Sequence, residues 1–290
     1  MKKIGIVDAG RHEPSYRTVS QRYPQIESTH LQSDGALDQF DGVVVHTEIA
    51  TRAQVVLRAA QSVKHILVAS PIAETEEQAR ELVEACRKSG AMIMPGLSMR
   101  FEPSQVSIMR ALSDGKLGDP GLLRIHLWQS STVGGGGASE ESVAASDLAN
   151  WYFGSLPERV YAVEKSGYLQ MHLGFNGGGM SIVDVVSSLP DGDSYESVSM
   201  IGSTGAAYAD DHHNRNLLFA GGIPSAIITG QGEFQLLRQL LEFASSIEEE
   251  RDPTVSGEDG IRALRVAEAA RNSAASGNAL KAAGETYERA

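Results

Sequence analysis

The sequence predicts an α/β chain in two domains: an N-terminal doubly wound parallel sheet over residues 1–118, and a C-terminal α+β domain with a largely antiparallel open sheet over residues 119–290. Three observations carry this expectation. Compact aliphatic runs alternate with helical patterns through the first third of the chain, as successive βα units do. The alternation stops at a turn cluster over 115–120. Beyond it, strand-like runs follow one another without an intervening helix, which favours antiparallel or mixed pairing.

Taken in order, strands are expected over 3–7, 26–31, 42–46, 65–69 and 91–95, each a β-branched or aliphatic run between polar segments. Between them, a helix over 51–62 puts Val55, Val56, Ala59 and Ala60 on one face, and a helix over 76–89 does the same for Ala79, Leu82, Val83 and Cys86. Thr75 is placed to cap the second helix, with Gln78 at the capping-box position and Gly90 as its stop. A further helix is expected over 103–114. In the second domain, strands are expected over 122–129, 159–167, 179–188 and 195–202. The run Gly134 to Gly137 predicts a mobile loop. Helices over 234–248 and 257–276 finish the chain, the last expected to pack back on the first domain.

Composition narrows the function classes. Hydrophobic residues make up 41% of the 290 residues and charged residues 21%, ordinary for a globular chain with a sizeable core. A formal net charge of -12 argues against a nucleic-acid partner, whose phosphates require clustered Lys and Arg. Cys86 is the only cysteine, which leaves no disulfide framework or cysteine-rich metal site and fits a reducing compartment. Met1-Lys2-Lys3 leads straight into Ile4-Gly5-Ile6-Val7, and no apolar run reaches the ~18 residues of a membrane span. A cytoplasmic protein with no membrane partner is therefore expected.

Four motifs, in order, carry a resemblance. They are Lys64-His65-Ile66-Leu67-Val68-Ala69-Ser70-Pro71, Met99-Arg100-Phe101-Glu102-Pro103, Gly202-Ser203-Thr204-Gly205-Ala206 followed by Asp210, and Val255-Ser256-Gly257-Glu258-Asp259-Gly260. Together they resemble the Gfo/Idh/MocA family of glucose-fructose oxidoreductase and inositol dehydrogenase. The resemblance implies a Rossmann-type first domain that binds NAD or NADP, and a second domain against which a sugar, cyclitol or related small molecule is oxidised or reduced. It also implies a homo-oligomer formed through the C-terminal sheet.

Each working part of such a protein has a counterpart to test. A dinucleotide turn needs glycines for a tight bend and close approach to the pyrophosphate. Here the turn reads Asp8-Ala9-Gly10-Arg11-His12-Glu13, with Gly10 alone retained and Asp8 and Glu13 where the family's glycines fall. Carboxylates there repel a diphosphate. Either Ala9, Gly10, Arg11 and His12 form an unusual cofactor turn, or the scaffold binds no dinucleotide. Strand two ends without an acid for a ribose, so NAD and NADP are not distinguished. Thr47, Ser70 and Pro71 are the other expected cofactor contacts; the resemblance places a Lys where Ser70 stands, and an unperturbed hydroxyl is a poor proton acceptor.

The resemblance further implies a helix carrying His and, three residues on, Asp. By distance from Trp151 and Gly154, Asp147 holds the Asp position and Ala144 the His position. Asp147 is the first expected catalytic residue, with a helix-surface or capping carboxylate as the plainer reading. His172 is the second, as a replacement acid/base, against the plainer reading of a cross-strand polar residue. Arg100 and His126 are the expected substrate contacts. Asp210-Asp211-His212-His213-Asn214 is ligand-rich but reads as a polar loop, because adjacent residues rarely point at one ion, and no metal is expected. A ligand sensor or partner subunit that kept the fold without the chemistry stands as the alternative function.

Overall fold

The computed structural model describes residues 2–8, 15–23, 27–31, 35–63, 65–130, 140–190, 194–210, 216–219, 225–227 and 233–282. The expected glycine loop around Gly134 and the histidines of 211–214 lie outside these residues. The chain divides into two compact units: unit 1 takes Met1–Phe101 with Gln231–Ile261, and unit 2 takes Glu102–Gly230 with Arg262–Ala290.

Unit 1 is a five-stranded parallel sheet in which β1 (Ile4–Asp8), β2 (Ser28–Leu31), β3 (Gly42–His46), β4 (His65–Ala69) and β5 (Met92–Gly96) lie in the order β2-β1-β3-β4-β5. Every residue of β4 is buried, which is why that strand reads as a continuous apolar run and not as an alternation. The connecting helices are α1 (Tyr16–Arg22), α2 (Ile49–Ser62) and α3 (Glu76–Ser89). Right-handed crossovers from a strand order that reverses between β1 and β3 put α1 on one face and α2 with α3 on the other. Thr75 caps α3 by accepting from the Gln78 amide, and Gly90, at φ 73°, turns the chain out in the left-handed region.

Unit 2 contains α4 (Pro103–Ser113), β6 (Pro120–Ser130), α5 (Glu140–Phe153), β7 (Arg159–Lys165), β8 (Tyr168–Gly174), β9 (Met180–Leu189), β10 (Tyr195–Gly202), β11 (Ala206–Asp210), β12 (Asn216–Phe219) and β13 (Ser225–Ile227). The strands form one eight-stranded sheet, ordered β13-β12-β11-β10-β6-β9-β8-β7, antiparallel throughout except where β6 runs parallel to β9. On β6, β8 and β9 alternate residues are buried (Leu123, Ile125, Leu127, Met171, Leu173, Val183, Val185), and the intervening ones face outward on an open side. α5 packs on β6 and β9. Both the parallel first sheet and the open, largely antiparallel second sheet are as the sequence predicts.

α4 belongs with unit 2, where the fully buried Tyr152 donates to Gln105 Oε1 at 2.8 Å. The turn that follows α4 is held by the turn between β10 and β11: Ser203 N donates to Asp119 O at 2.9 Å, Thr204 N to Leu117 O at 3.1 Å, and Asp119 N to Ser203 Oγ at 3.0 Å. Gly202 is required at this meeting, because a Cβ there would stand 2.0 Å from the Leu117 carbonyl oxygen. The remaining helices are α6 (Glu233–Glu248) and α7 (Gly257–Ser276). The segment that returns to unit 1 is 231–261, carrying α6 and the first turn of α7. Phe243 and Ile247 of α6 crowd the position where a Gly42 side chain would go, so the glycine opening β3 is what lets this helix approach.

Candidate functional site

In unit 1, polar residues collect at the carboxyl ends of the parallel strands, where open α/β sheets take ligands. Thr47 follows β3, and Ser70 and Pro71 follow β4. The Thr47 and Ser70 side chains are buried, and neither hydroxyl has a hydrogen-bond partner among the described residues. Between them lies the buried Arg52 of α2, whose guanidinium donates to Thr47 O from Nε (3.1 Å) and Nη2 (2.6 Å), and from Nη1 to Ala69 O (3.2 Å) and Pro71 O. One cation thus ties both strand-end segments together and leaves two hydroxyls unsatisfied beside it. An orphaned buried hydroxyl costs about 1–3 kcal/mol unless something binds it. This pairing fits a polar ligand with donors and acceptors of its own. Sequence reasoning found Thr47, Ser70 and Pro71 but missed Arg52, although its spacing, three and four residues before Val55 and Val56, puts it on the buried face of α2.

At the next strand ends, Asp8 closes β1 and His46 closes β3, as registered partners. Their side chains meet, His46 Nδ1 lying 3.2 Å from Asp8 Oδ1. The Tyr16 ring stands edge-on to the His46 ring at 5.6 Å, and its hydroxyl donates to Gln239 Oε1. On β2, burial holds the His30 imidazole below its ordinary range, helped by Arg17 and opposed by Asp8. Ala9, Gly10, Arg11 and His12 lie outside the described residues.

Arg100 is elsewhere. It sits in the 3-10 turn Ser98–Phe101 after β5, 7% exposed, with Nη2 3.1 Å from Asp259 Oδ1. Asp259 accepts from Ser256 N (2.8 Å) and Ser256 Oγ (2.9 Å), and its own amide donates to Ser256 Oγ (3.4 Å), which is the capping box that starts α7. Burial pushes the Asp259 carboxyl up, but the Arg100 charge and the Ser256 donors outweigh it and hold the group below its ordinary range. Two of the four motifs, around Arg100 and around Ser256, therefore meet in one buried ion pair.

In unit 2, Asp147 lies on α5, a helix buried on nearly every side. Asp147 is 1% exposed. Ser146 and Asn150, i and i+4 on the same helix, are also buried, and among the described residues neither the Ser146 hydroxyl nor the side-chain oxygen or nitrogen of Asn150 has a hydrogen-bond partner. Asn150, one turn beyond Asp147, was not found from sequence; its signal is the polar spacing Ser142, Ser146, Asn150 inside an otherwise apolar helix. Asp147 and His172 do not come together. His172 is on the open side of the sheet, whose opposite, buried side carries α5.

His126 shares the open side with His172. Its Nδ1 lies 3.0 Å from Asp184 Oδ2, Asp184 Oδ1 accepts from Gln170 Nε2 at 2.7 Å, and Gln170 Oε1 lies 3.3 Å from His172 Nε2. Trp128 and Tyr195 flank His126, at ring distances of 5.7 and 6.3 Å. The two expected histidines thus belong to one polar row across β6, β9 and β8. Cys86 is buried and its thiol is pushed up to about 11 by that burial, so it is no nucleophile. Among the described residues no three His, Cys, Asp or Glu groups gather to hold a metal ion, and no helix is long and apolar enough to cross a membrane.

Residues 6–97 match the model of the oxidoreductase family's NAD-binding Rossmann fold, and residues 169–282 that of its C-terminal alpha/beta domain. The uncharacterized oxidoreductase YrbE of Bacillus subtilis is 25% identical over 265 residues, covering 82% of this chain and 76% of its own. Myo-inositol 2-dehydrogenase of Thermotoga maritima is 23% identical over 259 residues, covering 80% and 77%. Among solved structures, the aldose-aldose oxidoreductase of Caulobacter crescentus, complexed with glycerol, superposes with a TM-score of 0.79 at 21% identity over 97% of this chain and 99% of that one, a likeness of fold. With both domains matched in order on the architecture described above, this chain belongs to the Gfo/Idh/MocA oxidoreductase family.

Proposed function

We propose that this chain is an NAD- or NADP-dependent oxidoreductase acting on a sugar, cyclitol or related small polyol. The observation that carries the proposal is the pair of buried, unpartnered hydroxyls of Thr47 and Ser70, set by Arg52 at adjacent strand ends of a sheet whose family model is NAD-binding. These hydroxyls, with Pro71 shaping the loop, fit the polar half of a nicotinamide nucleotide. The nicotinamide ring, when bound, accepts or gives the hydride. The residues of this chain handle the rest. Asp147 takes the proton of the substrate hydroxyl, and the Asn150 amide, sharing its helix face, offers a donor and an acceptor to a neighbouring hydroxyl. Such a pair suits a polyol, as the inositol dehydrogenase relative suggests.

Titration calorimetry of the purified chain with NADH and NADPH tests the proposal. Saturable binding of at least one, with a Kd below about 1 mM, is expected. No heat of binding for either at that concentration overturns it. A second reading is favoured by Ser70 and Ala144, which put no titratable group where the family places Lys and His: a ligand sensor or partner subunit that binds without turnover. Tight nucleotide binding with no turnover of any polyol would select it.

A further inference from the structure

We propose that Arg52 is a positioning residue for nucleotide binding: through backbone carbonyls it holds the segments after β3 and β4 at one spacing, so that the Thr47 and Ser70 hydroxyls meet the nucleotide as a pair. This rests on the nucleotide-binding reading above. Arg52 stands in the first turn of α2, where its own amide donates to Glu48 O at 3.0 Å. Its guanidinium divides between two strands. Nε and Nη2 donate to Thr47 O, just beyond β3, while Nη1 donates to Ala69 O at the end of β4 and to Pro71 O beyond it. The register of β3 with β4 ends at Val45 and Val68. Past that point the ladder no longer ties the two chains, and the guanidinium does. Its donors are fixed in one plane and diverge, which suits three carbonyls on separate segments; a lysine ammonium carries its three donors on one atom at the end of a flexible stem.

The end of β4 is also held from its other neighbour. Gly96 of β5 is in register with Ala69, and a Cβ there would stand 2.9 Å from Ala69 Cα, 3.0 Å from Val68 O and 3.1 Å from Ser70 N. The backbone that carries Ser70 is thus pressed against a glycine on β5 and bonded to the buried Arg52 of α2. None of the four guanidinium bonds uses a hydroxyl, and Thr47 Oγ1 and Ser70 Oγ remain buried and unpartnered among the described residues. Segments fixed in advance need not be ordered by the ligand, which is how preorganisation raises affinity. Release of the guanidinium frees both segments, so both hydroxyl contacts are lost together.

The experiment measures, by titration calorimetry, the affinity for whichever of NADH and NADPH binds wild type more tightly. The variants are Ser70→Ala, Thr47→Val, Arg52→Lys, and Arg52→Lys combined with each of the other two, with circular dichroism confirming that each folds. In the wild-type background each hydroxyl is expected to contribute about threefold to tenfold, the worth of one net hydrogen bond. Arg52→Lys, losing both contacts, should weaken binding by the product of the two, roughly tenfold to 100-fold. On that background Ser70→Ala and Thr47→Val should each change affinity by less than about twofold. This non-additivity marks a residue that acts through the two hydroxyls, whereas a general loss of stability would leave their contributions intact. Equal effects of Ser70→Ala and Thr47→Val in both backgrounds, nil included, overturn the role of Arg52 and leave the proposed function standing. If Arg52→Lys does not fold, amide hydrogen exchange on wild type decides. Protection of 47–52 and 69–72 together before nucleotide is added supports the proposal, and protection of either that appears only with nucleotide overturns it. Absence of binding of both nucleotides to wild type overturns this inference and the proposed function alike.

Discussion

Asp147→Asn is expected to lower kcat for polyol oxidation by about 100- to 10,000-fold, the range over which a positioned acid/base contributes, and to leave NADH affinity within about twofold of wild type. The asparagine keeps the size of the side chain and its hydrogen-bonding reach but cannot take a proton. Asp147 is 1% exposed, and Asn150, three residues on and on the same face of α5, carries no competing charge. No other carboxylate or imidazole of the predicted set shares its face of the sheet, since His172 and His126 are on the open side. Single-turnover kinetics with saturating cofactor isolate the chemical step. A variant retaining the full rate would remove Asp147 from proton transfer and make it a structural carboxylate of α5. His172→Gln, by the same geometry, should leave kcat within about twofold.

Arg100→Met is expected to destabilise the chain by about 3–5 kcal/mol, because removing one member of a buried pair strands the charge of the other. The side chains of Arg100 and Asp259 are 6% and 10% exposed, and Asp259 also carries the capping box of α7, so the loss spreads to the start of that helix. Arg100→Met with Asp259→Asn together should recover part of the loss, and urea melts of both single variants and the double variant measure the coupling. The pH dependence follows from the lowered Asp259 carboxyl. A carboxyl held down in the folded state stabilises above its unfolded value of about 3.9, and that contribution disappears as the pH falls through the folded value. The advantage of wild type over Asp259→Asn should therefore be level near neutrality and shrink in acid. An advantage that instead grew as the pH fell would contradict the pairing.

Much of this architecture was legible in the sequence because burial writes itself into local pattern. The run His65-Ile66-Leu67-Val68-Ala69 is covered on both faces and shows no alternation, while Leu169 to Gly174 alternates and is covered on one. The strands β11, β12 and β13 were not legible: they are 5, 4 and 3 residues long, too short to show a period against the surrounding turns. Helix α5 carries Glu141, Ser142, Ser146, Asp147 and Asn150 among its buried residues, so its polar positions gave no sign of how deeply it is enclosed.

The site was legible as a list of residues and not as an arrangement. Thr47, Ser70 and Pro71 could be named from the ends of their strands, but the Arg52 contact that joins them spans 17 and 19 residues of chain. Arg100 read as a substrate contact because nothing local shows that its partner lies 159 residues away. Asp8 read as an uncompensated obstacle to a diphosphate. Only the parallel register of β1 with β3 brings His46 beside it. In each case a charged side chain was interpreted alone, and long-range pairing supplied the partner.

Transfer of deuterium tests the central claim most directly. The chain is incubated with NAD or NADP in oxidised form and a panel of inositols, hexoses and anhydrohexoses deuterated at their secondary carbinol carbons, and the nicotinamide is analysed by mass spectrometry. A dehydrogenase of polyols places one deuterium on the reduced nicotinamide ring from at least one member of the panel, and Asp147→Asn slows that transfer without abolishing nucleotide binding. Nucleotide bound tightly, with no label transferred from any polyol, would contradict the account and leave a binding protein built on the oxidoreductase fold.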